Sequence, residues 1–206
     1  MKSERMKQWD EDVAELEREM KQLEKLNDPV YAADLLNMDL GDQDWAVDKI
    51  IPMEGITIIS GAPKSFKSWI SLHIAMCIEN GLAVFGKYKA TQGGVLIIDE
   101  ENHLRIIKNR LKMLGMNSSS NPELVLLNQK GFMASDPKQV CFIADLCDRL
   151  KINVVILDSL VRIHRSDENS SKDMSELFDQ IKFLCKRHKT VIVLHHERKE
   201  GMLFWV

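Results

Sequence analysis

The sequence predicts an α/β fold, a mostly parallel sheet with helices on both faces, preceded by a charged N-terminal helix. Three observations carry that expectation. Short β-branched runs, "ITIIS", "VLIID", "VVILD" and "VIVL", alternate with amphipathic helical patterns, which is how strands buried on both faces read. The first run passes directly into the loop "GAPKSFKS" and then into "WISLHIAMCI", a strand–loop–helix succession. Two of the other runs end on carboxylates, "VLIIDEE" and "VVILD", and ligands of such sheets bind outside the carboxyl ends of the strands.

Taken in order, residues 3–26 place Met6, Trp9, Val13, Leu16, Met20 and Leu23 at spacings of three and four on an otherwise charged segment, a heptad seam of about three repeats. Such a helix is marginal alone, so docking on the domain and pairing within an oligomer are both open. "NDP" at 27–29 stops it, because Pro29 cannot donate a backbone bond and restricts Asp28. The expected division is a helix over 1–28, a linker over 29–54 and a core over 55–206. Within the core, strands are expected at "GITIIS", "GGVLIID", "LVLLN", "NVVILD" and "TVIVLHH", with helices over 67–80, 102–114, 138–150 and 173–187 between them.

A chain of 206 residues, 45% of them hydrophobic, is long enough for one substantial core. The net charge of −3 and a pI near 6.1 give no global electrostatic case for nucleic-acid binding, so such a partner would need a local basic surface. Cys77, Cys141, Cys147 and Cys185 lie singly in apolar helical patterns without the paired spacings of zinc or redox sites, and are expected as small buried hydrophobes. No apolar run approaches the ~20 residues of a membrane span, and the charged N-terminus does not read as a signal peptide. A cytoplasmic protein without a membrane partner is expected.

The loop comprises Gly61, Ala62, Pro63, Lys64, Ser65, Phe66, Lys67 and Ser68. It matches the phosphate-binding pattern G-x-x-x-x-G-K-[ST] except at Phe66, which stands where the second glycine belongs. Loop amides and the helix N-terminus would converge on phosphate oxygens, Lys67 would reach the β- and γ-phosphates, and the Ser68 hydroxyl would complete a Mg²⁺ shell. Asp158, ending another buried strand, supplies the carboxylate that holds the metal's water shell. Asp99, Glu100 and Glu101 end a strand beside or near the loop strand, where a carboxylate can orient and deprotonate an attacking water. A ring at position 66 must point away from the phosphates or narrow the site. With Lys67 and Ser68 in place and Lys64 adding a cation, the loop reads as modified but nucleotide-binding, with ATP and Mg²⁺ as its ligands.

Together "GAPKSFKSW", "VLIIDEENHLRIIKNRLKMLG", "VVILDSLVRIHRSDENSSKDM" and "VIVLHHERK" resemble the RepA-like branch of the RecA-fold ATPases, related to DnaB-type replicative helicases and often grouped with AAA-type ATPases. The likeness covers residues ~45–200. It implies that the strand-end glutamate is the catalytic base, a role that falls on Glu101 with Glu100 as the alternative. It implies that the histidine pair, here His195 and His196, senses the γ-phosphate and couples it to DNA-facing loops, with Lys199 at a basic position of the same motif. His164, Asp167, Glu168 and Asn169 match the segment that follows the metal-holding aspartate. The relatives form hexamers, act on single-stranded DNA and continue well past the histidine strand, whereas this sequence stops at "GMLFWV"; the core is expected to be short at its C-terminus.

Two functional readings follow. One is a Mg²⁺-dependent ATPase of helicase type serving replication of a plasmid, phage or mobile element. The other is a non-hydrolysing, ATP-gated assembly module whose N-terminal helix recruits a partner. A small-molecule kinase is disfavoured, since no arginine-rich lid segment is present.

Overall fold

The computed structural model describes Glu15 and residues 29–116, 124–164 and 170–196. The chain divides into two units, 1–42 and 43–206. The heptad-patterned segment falls outside the described residues apart from Glu15, which is helical. In the rest of the first unit a single helical turn, α1 (Ala32–Leu35), buries no residue.

Structure begins in the second unit before the expected core does. Trp45–Val47 (β1) and Ile51–Pro52 (β2) pair as an antiparallel hairpin, with Ala46, Val47 and Ile51 buried. The linker expected over 29–54 is therefore corrected over its second half. Strands of three and two residues are too short to show the alternation by which a strand is recognised.

From there the expected elements follow, their ends shifted by at most two residues. They are β3 (Ile56–Gly61), α2 (Lys67–Asn80), β4 (Gly94–Asp99), α3 (Leu104–Met113), β5 (Leu124–Asn128), α4 (Pro137–Arg149), β6 (Ile152–Asp158), a 3₁₀ turn (Leu160–Arg162), α5 (Ser171–Lys186) and β7 (Thr190–His196). Local chemistry sets several of these ends. Asp136 caps α4 by accepting from the Lys138 amide, with Pro137 in the first turn, where its missing N–H costs nothing. Ser170 caps α5 through the Asp173 amide. Gly81 closes α2 at φ 64, a left-handed cap that glycine adopts without strain.

The five core strands form one parallel sheet in the order β3-β7-β6-β4-β5. The central strands β4, β6 and β7 bury both faces, and alternate residues supply two cores. Val95, Ile97, Val154, Ile156, Ile192 and Leu194 face α2 and the hairpin. Leu96, Ile98, Val155, Leu157, Val191 and Val193 face α4 and α5. This period-two division is what a sheet covered on both sides requires. Cys77 and Cys147 are buried as expected, but Cys185 is half-buried and Cys141 exposed, because Cys141 lies off the Val140–Ile143–Ala144–Cys147 stripe that α4 turns inward.

Parallel register brings the strand ends together. Asp99 stands opposite Asp158 on β6 and Asn128 on β5, while Ser60 and Gly61 stand opposite His195 and His196. The carboxylate strand β4 is not next to the loop strand, as the sequence allowed; β7 and β6 lie between β4 and β3. Among the described residues no helix is long and apolar enough to cross a membrane.

Candidate nucleotide-binding site

The loop from Gly61 to Ser68 turns tightly around one cation. Lys67 is 6% exposed, and its Nζ donates to the Gly61 carbonyl at 2.7 Å and the Ala62 carbonyl at 2.9 Å. A Cβ on Gly61 would stand 3.0 Å from Ser65 Oγ, so the first glycine of the motif is where the loop closes on itself. Phe66 takes the left-handed conformation that the motif's second glycine would supply, φ 66 and ψ 15. Its ring is 69% exposed and does not fill the loop. No acceptor among the described residues faces the amides of Lys67 and Ser68, which leaves two donors and the helix N-terminus for an anion.

Next to the loop, the Ser68 side chain lies near enough to Asp158 to lower its pKa. Asp158 is 3% exposed, and its carboxyl is pushed up to about 6, first by burial and then by the charges of Asp99 and Glu101. A carboxylate so placed is short of positive charge, and with the Ser68 hydroxyl beside it the pair fits a divalent cation such as Mg²⁺. Among the described residues no three His, Cys, Asp or Glu side chains are arranged to hold a metal by themselves.

The three carboxylates after β4 have different surroundings. Asp99 is buried, which raises its carboxyl, and it accepts from the amides of Glu101 and Asn102 and from Asn102 Nδ2; it builds the turn. Glu100 points toward β5 and accepts from the amides of Lys130, Gly131 and Phe132 at 3.0–3.1 Å. Glu101 alone faces the site. Ser159 Oγ donates to its Oε2 at 3.0 Å, and His196 Nε2 lies 3.3 Å from the same oxygen. Since β7 residues alternate in direction, His195 is turned to the other side of the strand, and among the described residues its buried Nδ1 has no hydrogen-bond partner. His164 is buried; Lys199 and Asp167, Glu168 and Asn169 lie outside the described residues.

Two residues at this edge escaped the sequence reading. Ser159, 1% exposed, follows Asp158 across a cis peptide bond and was visible only as a strand-end serine. Arg110, on the half-buried side of α3, rests over the Trp69 ring with Cζ 5.7 Å from its centroid, holds a buried Nη1 that has no hydrogen-bond partner among the described residues, and lowers the Asp158 pKa by its charge. Its position nine residues after Glu101 was the available signal, hidden among the other cations of the same helix.

Proteins that wrap a strand-to-helix loop around a lysine at the end of a parallel sheet are P-loop nucleotide-binding domains, and this chain is of that class. Comparison with known proteins narrows the class. The family model described as AAA domain matches residues 20–202, and the chain belongs to that family. No curated protein matches it. Among solved structures it is similar to one described as the crystal structure of the RadB recombinase, at 17% identity and a TM-score of 0.49, covering 71% of this chain and 63% of that one. The chain thus spans less than two thirds of that recombinase, and a likeness at this level fixes neither activity nor partner.

Proposed function

We propose that the chain is an ATP-binding, Mg²⁺-dependent ATPase domain of the RepA-like helicase type, acting in DNA replication of a plasmid, phage or mobile element. The observation that carries this reading is the Glu101 carboxylate, held between Ser159 and His196 at the same sheet edge as Lys67, Ser68 and Asp158. Lys67 would leave its loop carbonyls for the β- and γ-phosphates, neutralising charge that develops on transfer. Ser68 and Asp158 would hold Mg²⁺, which supplies charge neutralisation at the phosphate oxygens. Glu101 would orient water in line with the γ-phosphate and take its proton. His196, in contact with Glu101, would register the γ-phosphate and pass its presence to β7, with His195 and Lys199 serving DNA contact. Arg110 would balance the carboxylates around Asp158. Assembly into a ring is part of the same reading.

Hydrolysis of Mg²⁺-ATP by the purified chain, with and without single-stranded DNA, tests it against Glu101→Gln and Lys67→Ala. We expect turnover that DNA raises, a loss of at least about 100-fold in kcat for Glu101→Gln, and loss of nucleotide binding for Lys67→Ala. The second reading, a non-hydrolysing ATP-gated assembly module, is favoured by one observation, the non-glycine Phe66 in the loop. ATP binding without turnover would select it.

A further inference from the structure

The turn that aims Glu101 is fastened to the segment that follows β5. Asn128 Nδ2 donates to the Asp99 carbonyl at 2.9 Å and to the Asn102 carbonyl at 2.7 Å, and the Gln129 amide donates to the Asp99 carbonyl at 2.9 Å. The Glu100 carboxylate accepts from the next three amides, those of Lys130, Gly131 and Phe132. A displacement of residues 128–132 must carry the turn with it or break these bonds.

The same segment walls a cavity of about 270 Å³, lined by Leu127, Lys130, Phe132, Lys138, Phe142 and Ile143. Phe132 and Ile143 are buried, Phe142 is 56% exposed, and both lysines are exposed. Among the described residues neither lysine ammonium has an acidic partner. Asp136, at the start of α4, commits its carboxylate to the Lys138 amide and Gln139 Nε2. An apolar hollow with cations beside it suits an apolar body that carries an anionic group. The two phenylalanine rings favour a flat aromatic body, and the volume, just below the ~300–1,000 Å³ of drug-sized sites, limits it to a small one.

We propose that this cavity is a regulatory site for a small aromatic carboxylic acid. Its ring would lie among Leu127, Phe132, Phe142 and Ile143, its carboxylate would face Lys130 and Lys138, and its presence would reach Glu101 through residues 128–132 and Glu100. Binding of the acid is independent of the nucleotide reading, whereas the regulation rests on it. By linkage, the factor by which the acid changes nucleotide affinity is the factor by which the nucleotide changes affinity for the acid.

Isothermal titration of the full-length chain with naphthoate as the probe, with and without Mg²⁺ and a non-hydrolysable ATP analogue, tests the proposal. The wild type is expected to bind one naphthoate with a dissociation constant below about 1 mM, and the uncharged naphthamide at least about threefold more weakly. Phe142→Glu sets a carboxylate at the mouth of the cavity and should weaken naphthoate at least about tenfold. Because Phe142 is exposed, that variant should keep the wild-type circular dichroism spectrum and its nucleotide binding. Lys130→Glu combined with Lys138→Glu should reverse the preference, taking naphthylmethylamine over naphthoate. The analogue should change naphthoate affinity at least about fivefold, and naphthoate should change analogue affinity by the same factor. In Glu100→Ala, where the fastening is cut, this mutual effect should fall toward none. A wild type that takes no naphthoate, as when a protein segment fills the cavity, would overturn the proposal. So would binding that survives Phe142→Glu, or equal affinities for naphthoate and naphthamide. Naphthoate and analogue that bind without regard to each other would overturn the regulation. A chain that binds naphthoate but no nucleotide would sink the nucleotide reading and the regulation together, and leave the acid site standing.

Discussion

At Phe66 the chain pays a local conformational cost that glycine would not. Its φ of 66 is costly for an L-residue by about 1–2 kcal/mol, and its exposed ring returns little packing. Phe66→Gly should therefore stabilise the fold by about 1 kcal/mol in urea denaturation. A second residue-scale expectation concerns Asp158. Its carboxyl is pushed up to about 6 in the folded chain, above the unfolded value of about 3.9, so the folded state holds its proton more tightly. Stability from this group is present at low pH and is lost as pH rises from about 4 through about 6. Without nucleotide and metal, Asp158→Asn should exceed the wild type in unfolding free energy by about 2–3 kcal/mol above pH 7, and the gap should close toward pH 4. A gap independent of pH would contradict the assignment.

At the scale of elements, Gly94 sets how closely β4 approaches β6. A Cβ there would stand 2.8 Å from the Lys151 carbonyl and 3.2 Å from Ile152 Cα, both backbone atoms that cannot swing away. Gly94→Ala should destabilise by about 1–3 kcal/mol, read as a lower urea midpoint at unchanged m. The elements themselves were legible where burial on both faces wrote a continuous apolar run, as in "VVILD" and "VIVL". They were illegible in the 45–52 hairpin, where two and three residues leave no period. Strand order was hidden too, because all five core strands read alike and nothing in "VLIID" says that its neighbour is "VVILD". The site was half legible: the loop lysine, its serine and the two strand-end aspartates could be read from spacing, but the separate surroundings of Glu100 and Glu101 could not. Adjacent carboxylates at a strand end are indistinguishable until the turn that orients them is known. Arg110 stayed hidden because one cation on an amphipathic helix looks like any other.

For the molecule as a whole, a ligand that binds only the folded state raises stability by mass action, about 2.7 kcal/mol at a hundred times its dissociation constant. Mg²⁺-ATP should shift the thermal midpoint of the wild type upward, and a Lys67→Ala chain should not respond. The net charge of −3 makes any binding of single-stranded DNA a matter of local cations, so its affinity should fall with salt. The Glu100 carboxylate, which holds three successive amides of a surface turn, gives this chain a built-in exchange probe. Lys130, Gly131 and Phe132 sit where amide protons ordinarily trade with solvent quickly, yet their deuterium uptake should be slow and become fast in Glu100→Ala. Since Glu100 adjoins Glu101, a change in that uptake on adding nucleotide would time the movement of the strand end itself.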